Sequence, residues 1–313
     1  MLSQATYGLH FEKVFEPIYN DILYRSVVFD APEGKAAIAA LFDFHELPAN
    51  IDKLLKVLSE EETAAGIVAN VAELNPAVAA KILKVVNSSF AGLRCKISSL
   101  KRAVTLLGNE NIRAMILGMS MFTQSRARIM PKELSLIDLW KHSAAVSRIA
   151  SIIAGKLSGI DGATLVSAGL LHDAGKVVMA SAFKDRFTRA LKAAAERKGE
   201  LLAIELKYFG LSHPLLATAL CYWWNLPEKL WGLIAAQEHP ALGPDGRTAA
   251  VLTLAEFFAR SYGIGSDGQW AHGFVPEEVC WHLSLTQDAA SHIIGPEEIR
   301  GVVDLVDVIA KWE

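Results

Sequence analysis

The sequence predicts an all-α, multi-helical protein, and three observations predict it. Apolar residues recur at helical spacing through most of the chain, strand-like alternation bounded by hairpin turns is scarce, and short breaker segments separate the periodic stretches. In chain order, Leu54, Leu55 and Leu58 follow Ile51 at steps of three and four. Val78, Ile82, Val85 and Val86 repeat the pattern, as do Ile112, Met115, Ile116 and Met119. The breakers are "NP" at 75–76, "FAGLRCKISS" at 90–99, "LGNEN" at 107–111, "SGIDG" at 158–162 and "HPALGPDGR" at 239–247.

Two halves are expected. Residues 1–128 form an N-terminal half of short helices, of which 1–40 read as an added helical pair. Residues 129–313 form a second half that opens near "MPKEL" (130–134), where Pro131 suits a helix start. At 313 residues the chain can bury a large core. Apolar residues at 52% favour a packed protein over a disordered one, and a net charge of -3 gives no global pull toward nucleic acid or anionic membrane. The basic cluster Arg94, Lys96, Lys101, Arg102 and Arg113 reads as a solvated face, so a nucleic-acid partner is not expected. Three distant cysteines, Cys95, Cys221 and Cys280, suggest neither a disulfide framework nor a thiolate zinc site. The N-terminus lacks a basic start followed by an apolar core, and charges interrupt every candidate span, so a cytoplasmic protein without a membrane helix is expected.

The candidate site begins at "AGLLHDAGK" (168–176), where His172 and Asp173 stand side by side in a run, 166–183, that reads as one buried helix. A buried, unpaired carboxylate costs several kcal/mol, so the pair needs hydrogen bonds, a counter-charge or a metal ion. Adjacent helical side chains diverge by about 100°, yet both can reach one ion near the helix surface. Lys176 follows His172 by one turn and suits an anionic oxygen such as a phosphate; an Asp173–Lys176 ion pair is the other reading. His142 in "LWKHSAAVSRIA" lies on or beside a buried stripe, as a satisfied core histidine also would. His213, after the candidate cap Ser212 and before Pro214, opens a helix, and His239 sits where a helix ends before a Pro-Gly loop. Glu256 interrupts the apolar "VLTLAEFFA", with Arg260 one turn on as an alternative partner. Imidazole and carboxylate ligands together suit iron, manganese or zinc.

A lone His, an adjacent His-Asp with Lys three further on, later His residues and a carboxylate in an apolar helix resemble the HD superfamily of metal-dependent phosphohydrolases. "LPANIDKLLKVL" (47–58), "LNPAVAAKILKVVNSSFAG" (74–92) and "ISSLKRAVTLLG" (97–108) resemble the HDOD branch, the output-type relative found in bacterial signalling proteins, over residues 42–240. The resemblance implies His142, His172, Asp173 and Glu256 as metal ligands, with Glu256 where the family usually has an aspartate. His213 and His239 resemble the extra histidines of enzymes that bind a second ion, although the residues after His239 lack their signature. Asp173 and Lys176 would carry any hydrolysis. The implied function is a signalling module with a protein partner and an HD-type divalent-metal pocket, and the alternative is an active phosphohydrolase acting on a nucleotide or cyclic dinucleotide. In "NSSF" (87–90), Asn87 and Ser88 are expected to bond backbone groups at a helix end.

Overall fold

The computed structural model describes residues 34–37, 39–40, 82–83, 86–87, 97, 99–121, 130–197, 201–243, 245–269 and 273–310. The 47–58 motif, most of 74–92, Ser88, Arg94, Cys95 and Lys96 lie outside them. Among the described residues there is no β-strand, and no helix is long and apolar enough to cross a membrane.

Helices α1 (Leu100–Leu107) and α2 (Asn109–Met121) are parted only by Gly108, whose φ of +81° lies in the left-handed region that glycine tolerates. Next come α3 (Leu136–Lys156), α4 (Gly162–Leu171), α5 (Ala174–Arg197), α6 (Leu201–Phe209) and α7 (His213–Trp223). The chain ends with α8 (Glu228–Ala235), α9 (Gly246–Ser261), α10 (Glu277–Leu283), α11 (Gln287–Ser291) and α12 (Pro296–Ala310). Side-chain caps fix several starts. Ser135, Asp161, Ser212 and Asp245 accept from the backbone N–H three residues on, which satisfies a donor each helix would otherwise leave bare. The Ser212 cap and the first-turn Pro214 are as the sequence predicts.

α4, α9 and α12 pack around α3, and α5 lies against α6 and α7. α4 is buried from Thr164 to Leu171, as a helix apolar on every face must be. Among the described residues, α2 packs on α4. Ser167 Oγ donates to Asn111 Oδ1 at 3.0 Å, and Arg113 donates to the Trp224 carbonyl at 3.2 Å. Arg113 is buried and also paired with Glu110 at 2.9 Å, so it is an interhelical tie and not part of a solvated basic face. Asn87 donates to the carbonyls of Leu83 and Ile97 and accepts from the Ile97 N–H at 2.6 Å, the backbone bonding its sequence context predicts.

One expectation is corrected. Residues 166–183 are not one helix: α4 ends at Leu171, α5 begins at Ala174, and His172 and Asp173 occupy the turn between them. The His172 N–H still bonds the Ala168 carbonyl at 2.8 Å.

Candidate metal centre

Four helices and the turn between α4 and α5 supply the pocket. α3 contributes His142, the α4–α5 turn His172 and Asp173, α5 Lys176, α7 His213, and α9 Glu256 and Arg260. The approach of α7 depends on Gly175: a Cβ there would stand 1.9 Å from the His213 carbonyl oxygen, so any side chain would push α7 away. This glycine therefore admits a helix, and does not open an approach for a ligand. The loop after α9 presses on α3 in the same way, with Ser266 N–H donating to the Asp138 carbonyl at 3.0 Å. Gly265, at φ +69°, would bring a Cβ to 2.4 Å from His142 N.

His142 Nε2 stands 3.9 Å from Asp173 Oδ2 and 4.0 Å from Glu256 Oε1. His172 Nε2 stands 3.5 and 3.6 Å from the same two oxygens. His213 Nε2 is 3.5 Å from the other Asp173 oxygen, Oδ1. All three Nε2 atoms are buried and find no hydrogen-bond partner among the described residues. His172 Nδ1 lies 2.8 Å from the Gly169 carbonyl, which makes it the protonated nitrogen and leaves the Nε2 lone pair facing the pocket. Glu205 Oε2 accepts from the His213 backbone N–H at 2.9 Å and lies 2.7 Å from His213 Nδ1, which orients that ring likewise.

The cations are already engaged. Lys176, wholly buried, has its ammonium 2.8 Å from Asp173 Oδ1 and 3.0 Å from Asp267 Oδ2. Arg260 pairs with Glu256 Oε1 and, at 2.9 Å, with Asp267 Oδ2. The ammonium is thus held by carboxylates and not presented to a phosphate.

The electrostatics follow from burial and these pairs. Burial raises the Glu256 carboxyl, but Arg260 and then the nearby His172 imidazole outweigh it and bring the pKa down to about 2. Asp267 likewise falls well below the ordinary range, because Arg260 and Lys176 overcome its burial. Burial lowers Lys176, yet Asp173 and Asp267 raise it above a free lysine. Burial dominates for His142 and His213, which are lowered, His213 strongly and with help from Lys176. His172 is raised, since Asp173 and Glu256 outweigh its burial. Burial lifts Glu205 well above the carboxylate range, and burial with the Glu256 charge lifts Glu238 to about 7.

Two ligands each about 2.0–2.2 Å from one ion stand about 3–4 Å apart, which is the spacing of the His142, His172, Asp173 and Glu256 atoms. Together with the unpartnered Nε2 lone pairs, this makes the donor set fit a divalent ion. A cleft of about 550 Å³ reaches it from solvent, lined by His142, Lys192, Arg260, Ser266, Asp267 and Gln269.

The structure thus brings together His142, His172, Asp173, His213 and Glu256. It does not bring His239, whose side chain is 65% exposed and lies 3.9 Å from Glu278. The chain turns outward at the end of α8, so His239 follows the surface and not the pocket. Sequence reasoning missed Asp267 and Glu205. Asp267 lies in the loop "GIGSDGQ", where its bond from the Gln269 N–H resembles ordinary turn chemistry. Glu205 carried a legible signal, since it is the middle member of the buried stripe Leu201, Glu205, Phe209.

A family model for the HDOD domain matches residues 45–240. The chain belongs to the HDOD family. Over 241 residues, 76% of this chain, it is 21% identical to an uncharacterized protein of Treponema pallidum (strain Nichols), and the chain spans 45% of that relative's length. An HDOD domain protein of unknown function from Geobacter sulfurreducens superposes with a TM-score of 0.62 at 20% identity, covering 88% of this chain and 98% of its own. A Shewanella amazonensis SB2B protein, provisionally described as a phosphohydrolase, gives 0.62 at 18% identity with the same coverage. Both share the HDOD fold. The HDOD match ends before α9, so Glu256, Arg260 and Asp267 reach the pocket from residues beyond it.

Proposed function

We propose that this chain is a regulatory HDOD module of a bacterial signalling system, which binds a protein partner and keeps an HD-type pocket that takes one or more divalent metal ions. The observation that carries the metal reading is the convergence of the unpartnered His142 and His172 Nε2 atoms on Asp173 Oδ2 and Glu256 Oε1 at 3.5–4.0 Å. Those four residues would hold the ion. Such an ion supplies Lewis acidity and a template for an oxygen-rich ligand. Gly169 and Glu205 orient the imidazoles, and Arg260 holds Glu256 ionised. A regulatory use is favoured over hydrolysis because Lys176 and Arg260 are both committed to carboxylates, which leaves neither to steady a transferred phosphoryl group.

The cleft at His142 and Asp267 favours a second reading, a phosphohydrolase acting on a nucleotide or cyclic dinucleotide, since a phosphate could enter there. Elemental analysis of chain purified without added metal tests the first part. Bound iron, manganese or zinc is expected, and a chelator should lower the melting temperature. An absence of metal with melting unchanged by chelator would mean a hydrogen-bonded relic. Metal-loaded chain is then offered phosphomonoesters, cyclic nucleotides and cyclic dinucleotides. No turnover is expected, and turnover of any would favour the enzyme.

A further inference from the structure

The pocket has two places where a cation faces carboxylate oxygen, and they are filled differently. Asp173 divides them. Its Oδ2 looks toward the unpartnered Nε2 atoms of His142 and His172, and its Oδ1 looks toward His213 Nε2 at 3.5 Å. An imidazole and a shared aspartate lie on that second side, and Asp267, which also comes within ligand spacing of His142 and Glu256, borders both sides. Lys176 is already among them, its Nζ 2.8 Å from Asp173 Oδ1, 3.0 Å from Asp173 Oδ2 and 3.0 Å from Asp267 Oδ2, with no exposure to solvent.

We propose that the Lys176 ammonium is a resident cation standing in the second-metal position, so that this chain binds one divalent ion and not two. The proposal rests on the metal reading above. Charge supports it independently of the distances. Asp173, Glu256 and Asp267 carry three negative charges, and Lys176 and Arg260 carry two positive ones, which leaves -1 with neutral imidazoles. One divalent ion brings the pocket to +1, whereas two would bring it to +3. Counting Glu238, whose charge also acts on Glu256 and Arg260, as ionised changes these totals to 0 and +2. One ion is nearer neutrality either way, and uncompensated buried charge is among the costliest arrangements a protein can hold. Lys176 Nζ spans the carboxylate, 2.8 Å from Oδ1 and 3.0 Å from Oδ2, so one Asp173 side chain would serve both the lysine and the ion. Lys176 acts through Asp173 and is a positioning residue.

The test titrates metal-free full-length chain with Mn(II), read by calorimetry and by electron paramagnetic resonance. Wild type is expected to take one ion per chain, with the spectrum of an isolated Mn(II). Lys176→Met, which removes the ammonium but keeps its volume, is expected to take a second ion and to show a spin-coupled pair. His213→Ala in the wild-type background does not depend on that variant's folding. Because His213 stands behind Asp173 on the lysine-filled side, the single ion should remain, its affinity reduced by no more than about 10- to 100-fold. Two ions in wild type would overturn the proposal and leave the metal reading intact. Loss of the ion in His213→Ala, or one ion at unchanged affinity in folded Lys176→Met, would also overturn it. No ion in wild type overturns both readings.

Discussion

The two sides of the pocket use the same residue types to opposite ends. On the Lys176 side, Asp173 Oδ1 and Asp267 Oδ2 meet an ammonium and a guanidinium, and every formal charge has a protein partner at 2.8–3.0 Å. On the imidazole side, His142 and His172 present unpartnered Nε2 atoms to Asp173 Oδ2 and Glu256 Oε1 across 3.5–4.0 Å, while those oxygens are themselves held by Lys176 and Arg260. The first side completes itself on folding. On the second the carboxylates are held by protein cations but the imidazole lone pairs are not, and only these await a ligand.

The largest effect should come from the residue common to both. Asp173→Ala strips Lys176 of one carboxylate and removes an expected ligand, and breaking a buried ion pair in this way costs about 3–5 kcal/mol. Urea denaturation of the chelated chain measures it; a loss under about 1 kcal/mol would mean that Asp267 alone satisfies the lysine.

Acid should separate the sides next. Glu256, held at about 2 against an ordinary 4.5, contributes stability that is complete above about pH 4.5 and is lost as the pH falls through its folded value. The shift corresponds to something on the order of 3 kcal/mol. His142 and His213, also held low, begin the loss below about pH 6.5, and His172, held high, opposes it. In chelator, Glu256→Gln should flatten the limb between pH 4.5 and 2; an unaltered limb would place the acid sensitivity elsewhere.

Much of this comparison was legible in the sequence. His142, His172, Asp173 and Glu256 stand out because each interrupts an apolar periodic run, and a polar group there must have a partner. The helical architecture follows from the same periodicity. Asp267 was hidden, because an Asp among glycines in a loop is expected on turn chemistry alone. The break at His172 was hidden as well, since neither Pro nor Gly occupies the pair and the flanking residues are good helix formers. Spacing placed Lys176 on the right face, but only the fold brings Asp267, 91 residues away, to capture its ammonium. His239 misled because a histidine at a helix end has the same local sequence whether the chain then turns inward or outward.

Removing one unpartnered imidazole should cost the metal more than the fold. With metal at 100 times its dissociation constant, binding adds about 2.7 kcal/mol to wild type, and His172→Ala should forfeit that increment. The check is the chelator-sensitive shift in melting temperature, which should vanish in the variant; its survival would exclude His172 as a ligand. His239→Ala should do least, changing stability by under about 0.5 kcal/mol and metal content not at all, as befits a solvated side chain. A drop in metal content there would contradict the surface placement.

The bond from Ser167 to Asn111 has a consequence for how the two halves are joined. Ser167 precedes His172 by five residues, about 7.5 Å along α4, and a helix is stiff over so short a span. The first half therefore grips the rod whose tip carries the imidazole. Sliding α2 along α4 by one turn would carry Asn111 out of reach of Ser167 before it disturbed any donor in the pocket, so the axial register of His172 is held by α2 as well as by Ser147 of α3, which donates to the Val166 carbonyl at 2.8 Å.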